Sequence, residues 1–333
     1  MSRTDLPPYV VLEKAVGETP LMCAETWRQR AGVDTRIPLA YAGRLDPMAS
    51  GKLLILIGDE CKHQTDYHGL DKAYDFSVLL GIGSDTHDVL GRLAENSSEF
   101  IKMPPSKFST KRAFLGALGS ESQSTNTPRN TDIQGASLVH LPPEERTSRN
   151  GKGDTPQLSS VLIQQLERIA GELTGSIELP YPHFSAKTVQ GKPLHMWTLE
   201  GRLDEIDVPR KRSVIYDLVV TGIETRSRED ICSDARTKID TIPPVTDERK
   251  ALGNDFRRAD VRADWERTKN DTTLPDSYSI AHFHCNASSG TYMRSLAYVI
   301  GHKLHVPALA WSIHRTDIGT YDPDTKTWSQ SFK

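Results

Sequence analysis

The sequence contains no run of about 18 apolar residues, the length needed for a membrane-spanning helix. Its N-terminus, MSRTDLPPYVVLEK, lacks the apolar centre of a secretory signal. A soluble, cytoplasmic-type protein is the expectation. Cysteine is scarce: Cys23, Cys61, Cys232 and Cys285 lie far apart with no C-x-x-C pair, which excludes a zinc ribbon and a disulfide framework as organising principles. Basic charge is not in excess either. With 41 Lys and Arg against 44 Asp and Glu, the formal charge is −3, so any polyanionic partner has to meet local patches rather than a uniformly basic surface.

Acid is missing from one place in particular. Between Ser277 and Thr316 there is no Asp or Glu, while Arg294, Lys303, Arg315 and five of the 11 histidines fall there. In an overall acidic chain this segment reads as a local electropositive surface, suited to phosphates or to a buried carboxylate. Within it, SSGTYMRSLAYVIGHKL reads as a glycine turn and then a helix from about Thr291, with Leu296, Val299, Ile300 and Leu304 on its buried face. Arg294 then falls in the first turn, where the helix dipole disfavours a cation unless an anion stands nearby. The pairs His282/His284 and His302/His305 have no carboxylate close in sequence, and no metal site is expected from them.

Long apolar stretches are equally sparse in two segments. Residues 116–157 are rich in Ser, Thr, Asn, Gly and Pro, and residues 226–275 are charged and weakly apolar; both are expected to be flexible inserts. The remainder is the size of one large α+β domain, expected over 1–325.

What is present is organised as follows. VVLEKAVGETPLMCAETWRQRAG reads as a strand, a turn at Gly17, and a helix capped by Thr19 with Pro20 first, Leu21, Ala24 and Trp27 sharing its apolar face. Leu53–Ile57 is a fully apolar run of strand length, and Tyr74, Phe76 and Val78 alternate in a second strand. Further strands are expected at 214–223 and 278–285, and a helix from about Ser159 to Gly175. Between the first helix and the apolar strand lies AYAGRLDPMAS, where Asp46 sits in a small-residue loop. The residues alone allow either an Asp-Pro turn or a catalytic carboxylate.

The pieces EKAVGETP, GRLDPMASGKLLILIGDECK, KAYDFSVLLGIGSDTHD, YPHFSAKTVQGKPLHMW and SSGTYMRSLAYVIG with SIHRTDIGTY resemble, in the same order, the TruB family of tRNA pseudouridine synthases. The resemblance covers most of the chain outside the two inserts. It implies an α+β pseudouridine synthase fold with a mixed, mostly antiparallel central sheet flanked by helices and a catalytic cleft across the sheet. It also implies isomerisation of the T-loop uridine at tRNA position 55. Asp46 then matches the catalytic carboxylate, Arg294 its arginine partner and Tyr74 the active-site tyrosine that packs against the base. Tyr41, Arg44, Lys14, Lys187, Lys192, Ile313 and Arg315 are expected to bind substrate, with Ile313 on the other side of the base. Neither cofactor nor metal is implied. The partner implied is the T-arm loop of tRNA, and a monomer is expected.

The chain departs from the family pattern at specific positions. Where the family loop reads G-H-x-G-x-L-D-P, the histidine position holds Tyr41, and Arg44 stands two before Asp46. The family's K-P pair is Lys14-Ala15, and no C-terminal PUA domain is expected after Tyr321. Other readings remain open: a catalytically idle RNA-binding or RNA-chaperone protein of the same fold, a pseudouridine synthase acting on another RNA site, and a glycosidase-like hydrolase with Asp85 or Asp88 as a second carboxylate.

Overall fold

The computed structural model describes residues 6–93, 155–244 and 255–330. Its centre is a nine-stranded sheet. In chain order the strands are β1 (Tyr9–Lys14), β2 (Leu39–Tyr41), β3 (Ser50–Ile57), β4 (Asp71–Leu80), β5 (Gly175–Pro180), β8 (Arg210–Ser227), β9 (Ser277–Ala287), β10 (Ala308–Asp322) and β11 (Thr327–Ser329). The short strands β6 (Thr188–Val189) and β7 (Lys192–Pro193) form a separate hairpin. Spatial order is β1-β3-β10-β4-β9-β8-β5, with β2 on β3 and β11 on β10. Every pairing in the large sheet is antiparallel except β3 with β10, where Ser50 faces His314 and Gly51 faces Arg315.

That parallel step decides where the site lies. It places the chain just after Asp46 beside the middle of β10. Gly51 has φ +106, and a Cβ there would stand 2.3 Å from the Arg315 carbonyl oxygen. Only glycine allows this approach.

Strand β3 is apolar on both faces because both are covered. Leu53 and Ile55 pack with Cys23 and Ala24 of helix α1 (Pro20–Ala31), while Leu54 and Leu56 pack with Tyr67 at the end of a 3-10 segment (Gly58–Tyr67). Helix α1 begins as expected, Thr19 accepting the Met22 amide at 3.1 Å with Pro20 in the first turn. Ala24 is buried, but Leu21 is 62% exposed, contrary to the expected apolar face, because the stripe facing β3 is carried by Cys23 and Ala24.

On one side of the sheet the main core collects Phe76, Val78, Phe283, Trp311 and Ile313 against helices α2 (Thr155–Leu173) and α6 (Met293–Leu304). Asp75, His284 and His314 share the opposite face, Asp75 lying opposite each histidine across the strands. Short helix α3 (Leu194–Leu199) follows β7.

The stretch 226–275 differs from its expectation. Its described residues complete β8 and form helices α4 (Arg228–Thr241) and α5 (Arg258–Asn270). Ile231, Cys232, Ala235 and Ile239 of α4, with Val261 and Trp265 of α5, enter the main core. The apolar stripe is thin, but charged residues extend it by pairing: Asp264 is buried and takes Arg92 at 2.6 Å. Of the other expected insert, 116–157, all but the first residues of α2 lie outside the described residues. Among the described residues no helix is long and apolar enough to cross a membrane.

Candidate active site

Three segments meet around Asp46. The loop between β2 and β3 carries it, turned by an Ala49 amide bond to the Asp46 carbonyl at 3.0 Å. Helix α6 brings Arg294, whose Nε lies 2.8 Å from Asp46 Oδ2 and 3.7 Å from Asp88 Oδ2. The Nε–H is not aimed at either oxygen, so these are ion pairs rather than directed hydrogen bonds. Arg294 Nη1 donates to the Thr86 carbonyl at 3.0 Å. The first-turn cation therefore has its anion, and it has two.

The two carboxylates differ in environment. Asp46 is 40% exposed and opens to solvent. Asp88 is buried in the polar turn after β4, accepting from Thr86 Oγ1 at 2.5 Å and from the Leu90 amide at 3.0 Å. Burial pushes its carboxyl up to about 6, with Asp46 adding to the rise, against the opposing pull of Arg294, Thr86 and the Leu90 amide. The turn is held by His87, which adopts φ 60 and stacks on Tyr298 at 4.4 Å; burial keeps its imidazole neutral. Asp85, the other carboxylate of this turn, is bound instead by Arg257 at 2.6 Å. Asp46 and Asp88 converge on one guanidinium, an arrangement unlike two carboxylates facing each other across a bond to be hydrolysed.

A second layer of cations lies behind the loop. Tyr74 on β4 and Arg315 on β10 are cross-strand neighbours. Burial raises the Tyr74 phenol's pKa while Arg315 opposes it. Arg315, 1% exposed, donates to the Lys52 carbonyl at 2.6 Å and the Arg44 carbonyl at 3.3 Å, fixing the loop ahead of Asp46. Ile313 is buried in the same core as Tyr74. Lys72 lies under Gly43 and is lowered to about 8, chiefly by burial and then by Arg315.

The structure brings Asp46, Tyr74, Arg294, Arg315 and Ile313 into one region, with Arg44 exposed at its rim. Others it places differently. Lys14 is fully buried, donating to the Ala15 and Glu18 carbonyls at 2.8 Å each, and burial lowers it to about 8; it closes a turn near Asp46 rather than offering a free ammonium. Tyr41 packs toward Leu53, Ile55 and helix α1. Lys192 is held by Glu200 at 2.6 Å over the Trp197 ring. Lys187 is exposed and sits 5.3 Å over Tyr181, which meets Tyr292 at 5.5 Å. Tyr292 lies within the electrostatic reach of Asp46, Arg294 and Arg44.

Sequence reasoning missed the roles of Thr86 and Tyr292, and it gave Asp88 only to the hydrolase reading. A usable signal existed for Asp88: an acid-bearing turn, GSDTHD, following a buried strand. For the contribution of α4 and α5 there was none.

Fold and site together define an α+β protein with a carboxylate–arginine centre at the rim of a mostly antiparallel sheet. Known proteins with similar sequences point in the same direction. Residues 35–141 match the TruB family pseudouridylate synthase (N terminal domain). The tRNA pseudouridine synthase 4 of Saccharomyces cerevisiae is 22% identical over 89% of this chain and 68% of its own length. The tRNA pseudouridine synthase B of Caldicellulosiruptor saccharolyticus is 23% identical over 54% of this chain and 41% of its own length. That of Bifidobacterium longum subsp. infantis is 23% identical over 85% of this chain and 56% of its own. Over these stretches the chain is similar to TruB pseudouridine synthases, and it spans about half the length of the two bacterial proteins.

Proposed function

We propose that this protein is a tRNA pseudouridine synthase that isomerises the T-loop uridine at position 55. The observation that carries the reading is the Arg294 Nε placed 2.8 Å from the half-exposed carboxylate of Asp46. A carboxylate acting on a nucleoside has to be held in place beside a counter-charge, and the buried guanidinium supplies both.

The reaction breaks the N1–C1′ bond, turns the base, and forms a C5–C1′ bond. C5 loses a proton and N1 gains one, so the composition is unchanged and no oxidant or reductant is consumed. In this reading Asp46 acts as nucleophile or base on the nucleoside, while Arg294 pairs with it and fixes its position. Tyr74, kept as the protonated phenol by burial, packs against the base rather than serving as a ready base itself. A uridine inside a folded RNA loop reaches Asp46 only if flipped, at a cost of a few kcal/mol offset by contacts in the pocket. The reading has the protein act as a monomer in the cytoplasm.

The test is pseudouridine mapping by mass spectrometry on an unmodified tRNA transcript incubated with the purified protein. Pseudouridine at position 55 is expected with wild type and none with Asp46→Asn, whose tRNA affinity stays within about tenfold, roughly 1.4 kcal/mol. Modification at another position would move the substrate assignment. Activity retained in Asp46→Asn would remove Asp46 from the chemistry.

A further inference from the structure

His87 stands between two groups that meet Arg294: Thr86, whose carbonyl accepts from Arg294 Nη1 at 3.0 Å, and Asp88, whose Oδ2 lies 3.7 Å from Arg294 Nε. Its own side chain is buried, and the ring lies in a clamp. On one side is Tyr298 of α6, stacked at 4.4 Å with the ring planes 11° apart; on the other is His183, from the segment between β5 and β6, at 5.0 Å and 59°. We propose that His87 is a positioning residue of the carboxylate–arginine centre: its clamped ring locks the Thr86–Asp88 turn to helix α6 and so sets where Arg294 stands between Asp46 and Asp88. The catalytic consequence rests on the functional reading above; the hold of the ring on the geometry does not.

Tyr298 follows Arg294 by four residues, so the two side chains share one face of α6. The stack therefore grips the helix one turn beyond the guanidinium. The turn has anchors of its own. The His87 amide donates to the Ser84 carbonyl at 3.1 Å, the His87 carbonyl accepts from the Ala310 amide of β10 at 2.9 Å, and Ser84 Oγ donates to the Asp88 carbonyl at 2.5 Å. These bonds tie the turn to itself and to the sheet, whereas the ring ties it to the helix that carries Arg294.

Two features set this ring apart from ordinary core filling. Neither imidazole nitrogen of His87 has a hydrogen-bond partner among the described residues, nor has Nδ1 of His183, and burying a polar atom unpaired is unfavourable. His87 also adopts φ 60, in the left-handed region that most side chains avoid. An apolar residue would remove the first penalty and glycine the second. Histidine meets both needs of the position, because it tolerates positive φ and still offers a flat ring to Tyr298. Burial keeps the imidazole neutral, with His183 and Arg294 adding to the effect, so the ring stands beside the guanidinium without a second positive charge. A residue that is both strained and unpaired beside a reactive centre is the usual mark of a geometric constraint.

The experiment separates the ring from the backbone. His87→Asn keeps a residue that tolerates positive φ and removes the ring, while His87→Phe keeps a ring and strains the backbone. Tyr298→Leu removes the other half of the stack. Each variant is followed by the Nε–H signal of Arg294 in protein labelled with nitrogen-15 arginine, assigned by its loss in Arg294→Lys, and by thermal melting and the kinetics of pseudouridine formation in tRNA. His87→Asn and Tyr298→Leu are expected to shift the Arg294 signal and to lower kcat about tenfold, as a small misplacement of a catalytic group does, with KM within about twofold of wild type. His87→Phe is expected to keep the signal and kcat near wild type although it melts lower, a split that a merely stabilising ring would not produce. Tyr298→Leu reports even if His87→Asn does not fold. An unmoved Arg294 signal in either folded ring-deleting variant, or a His87→Phe that moves it as far as His87→Asn does, overturns the proposal. Wild type that forms no pseudouridine removes the functional reading alone, since the Arg294 signal still decides whether the ring holds the centre.

Discussion

A single guanidinium serving two carboxylates of unequal burial makes Asp88 the residue whose titration is most informative. Its pKa stands at about 6 in the folded protein against 3.8 in the unfolded chain, burial being the main cause. Between those values the folded state holds a proton that the unfolded state has lost, so stability falls as pH rises through the window and levels off above about 6. The full effect is on the order of 3 kcal/mol. Asp88→Asn keeps an oxygen for the Thr86 hydroxyl and the Leu90 amide but cannot titrate. Denaturant unfolding of both proteins at pH 4.5 and pH 6.5 is expected to show wild type losing stability relative to Asp88→Asn at the higher pH. Parallel pH dependence in the two would show that Asp88 does not carry the shifted proton. At this scale the sequence was partly legible. A cation in a helix's first turn demanded an anion, and Arg294 has one. That the anion is Asp46, some 250 positions earlier, came from the family resemblance, since no local rule links them.

Elements were legible wherever burial is achieved with apolar side chains. The run Leu53–Ile57, the Thr19 cap with Pro20, and the stripe Leu296, Val299, Ile300 of α6 all emerge as read. Helices α4 and α5 were not legible for a physical reason: α5 buries only Val261, Asp264 and Trp265. Such a stripe gives little periodicity, and the burial of Asp264 depends on Arg92 and Arg267, which the sequence does not show to be near. Trp265 is the element's main attachment, fully buried and bonded to the Val89 carbonyl. Trp265→Ala is expected to cost about 3–5 kcal/mol, read by denaturant unfolding. Because α5 also braces the turn that holds Asp88, turnover is expected to fall at temperatures where the variant is still folded. A cost below about 1 kcal/mol would mean that the helix pair is loosely held after all.

Over the whole molecule, the acid-free segment 277–316 does not become the electropositive surface its composition suggested. Arg294 and Arg315 are buried, Lys303 pairs with Glu172 at 2.7 Å, and His284 meets Asp75 at 2.7 Å. Acid absent from the segment is supplied by its neighbours in space. With the basic segment neutralised in this way, exposed cations elsewhere have to meet an RNA backbone, and two candidates beside the site's aromatic rings are Arg44 and Lys187. Both are exposed; Lys187 sits 5.3 Å over Tyr181, which meets Tyr292, and Arg44 is within electrostatic reach of Tyr292. Each phosphate contact contributes about 0.7–0.9 to the slope of log affinity against log salt. The Arg44→Ala/Lys187→Ala double variant is therefore expected to weaken tRNA binding and to flatten that slope by about 1.5. Lys192→Ala, whose ammonium is already held by Glu200, is expected to leave the slope unchanged. Filter-binding titrations across a salt series distinguish the cases. If the double variant keeps the wild-type slope, the RNA backbone does not pass this rim, and its path has to be sought along the exposed start of β8 at Arg212 instead.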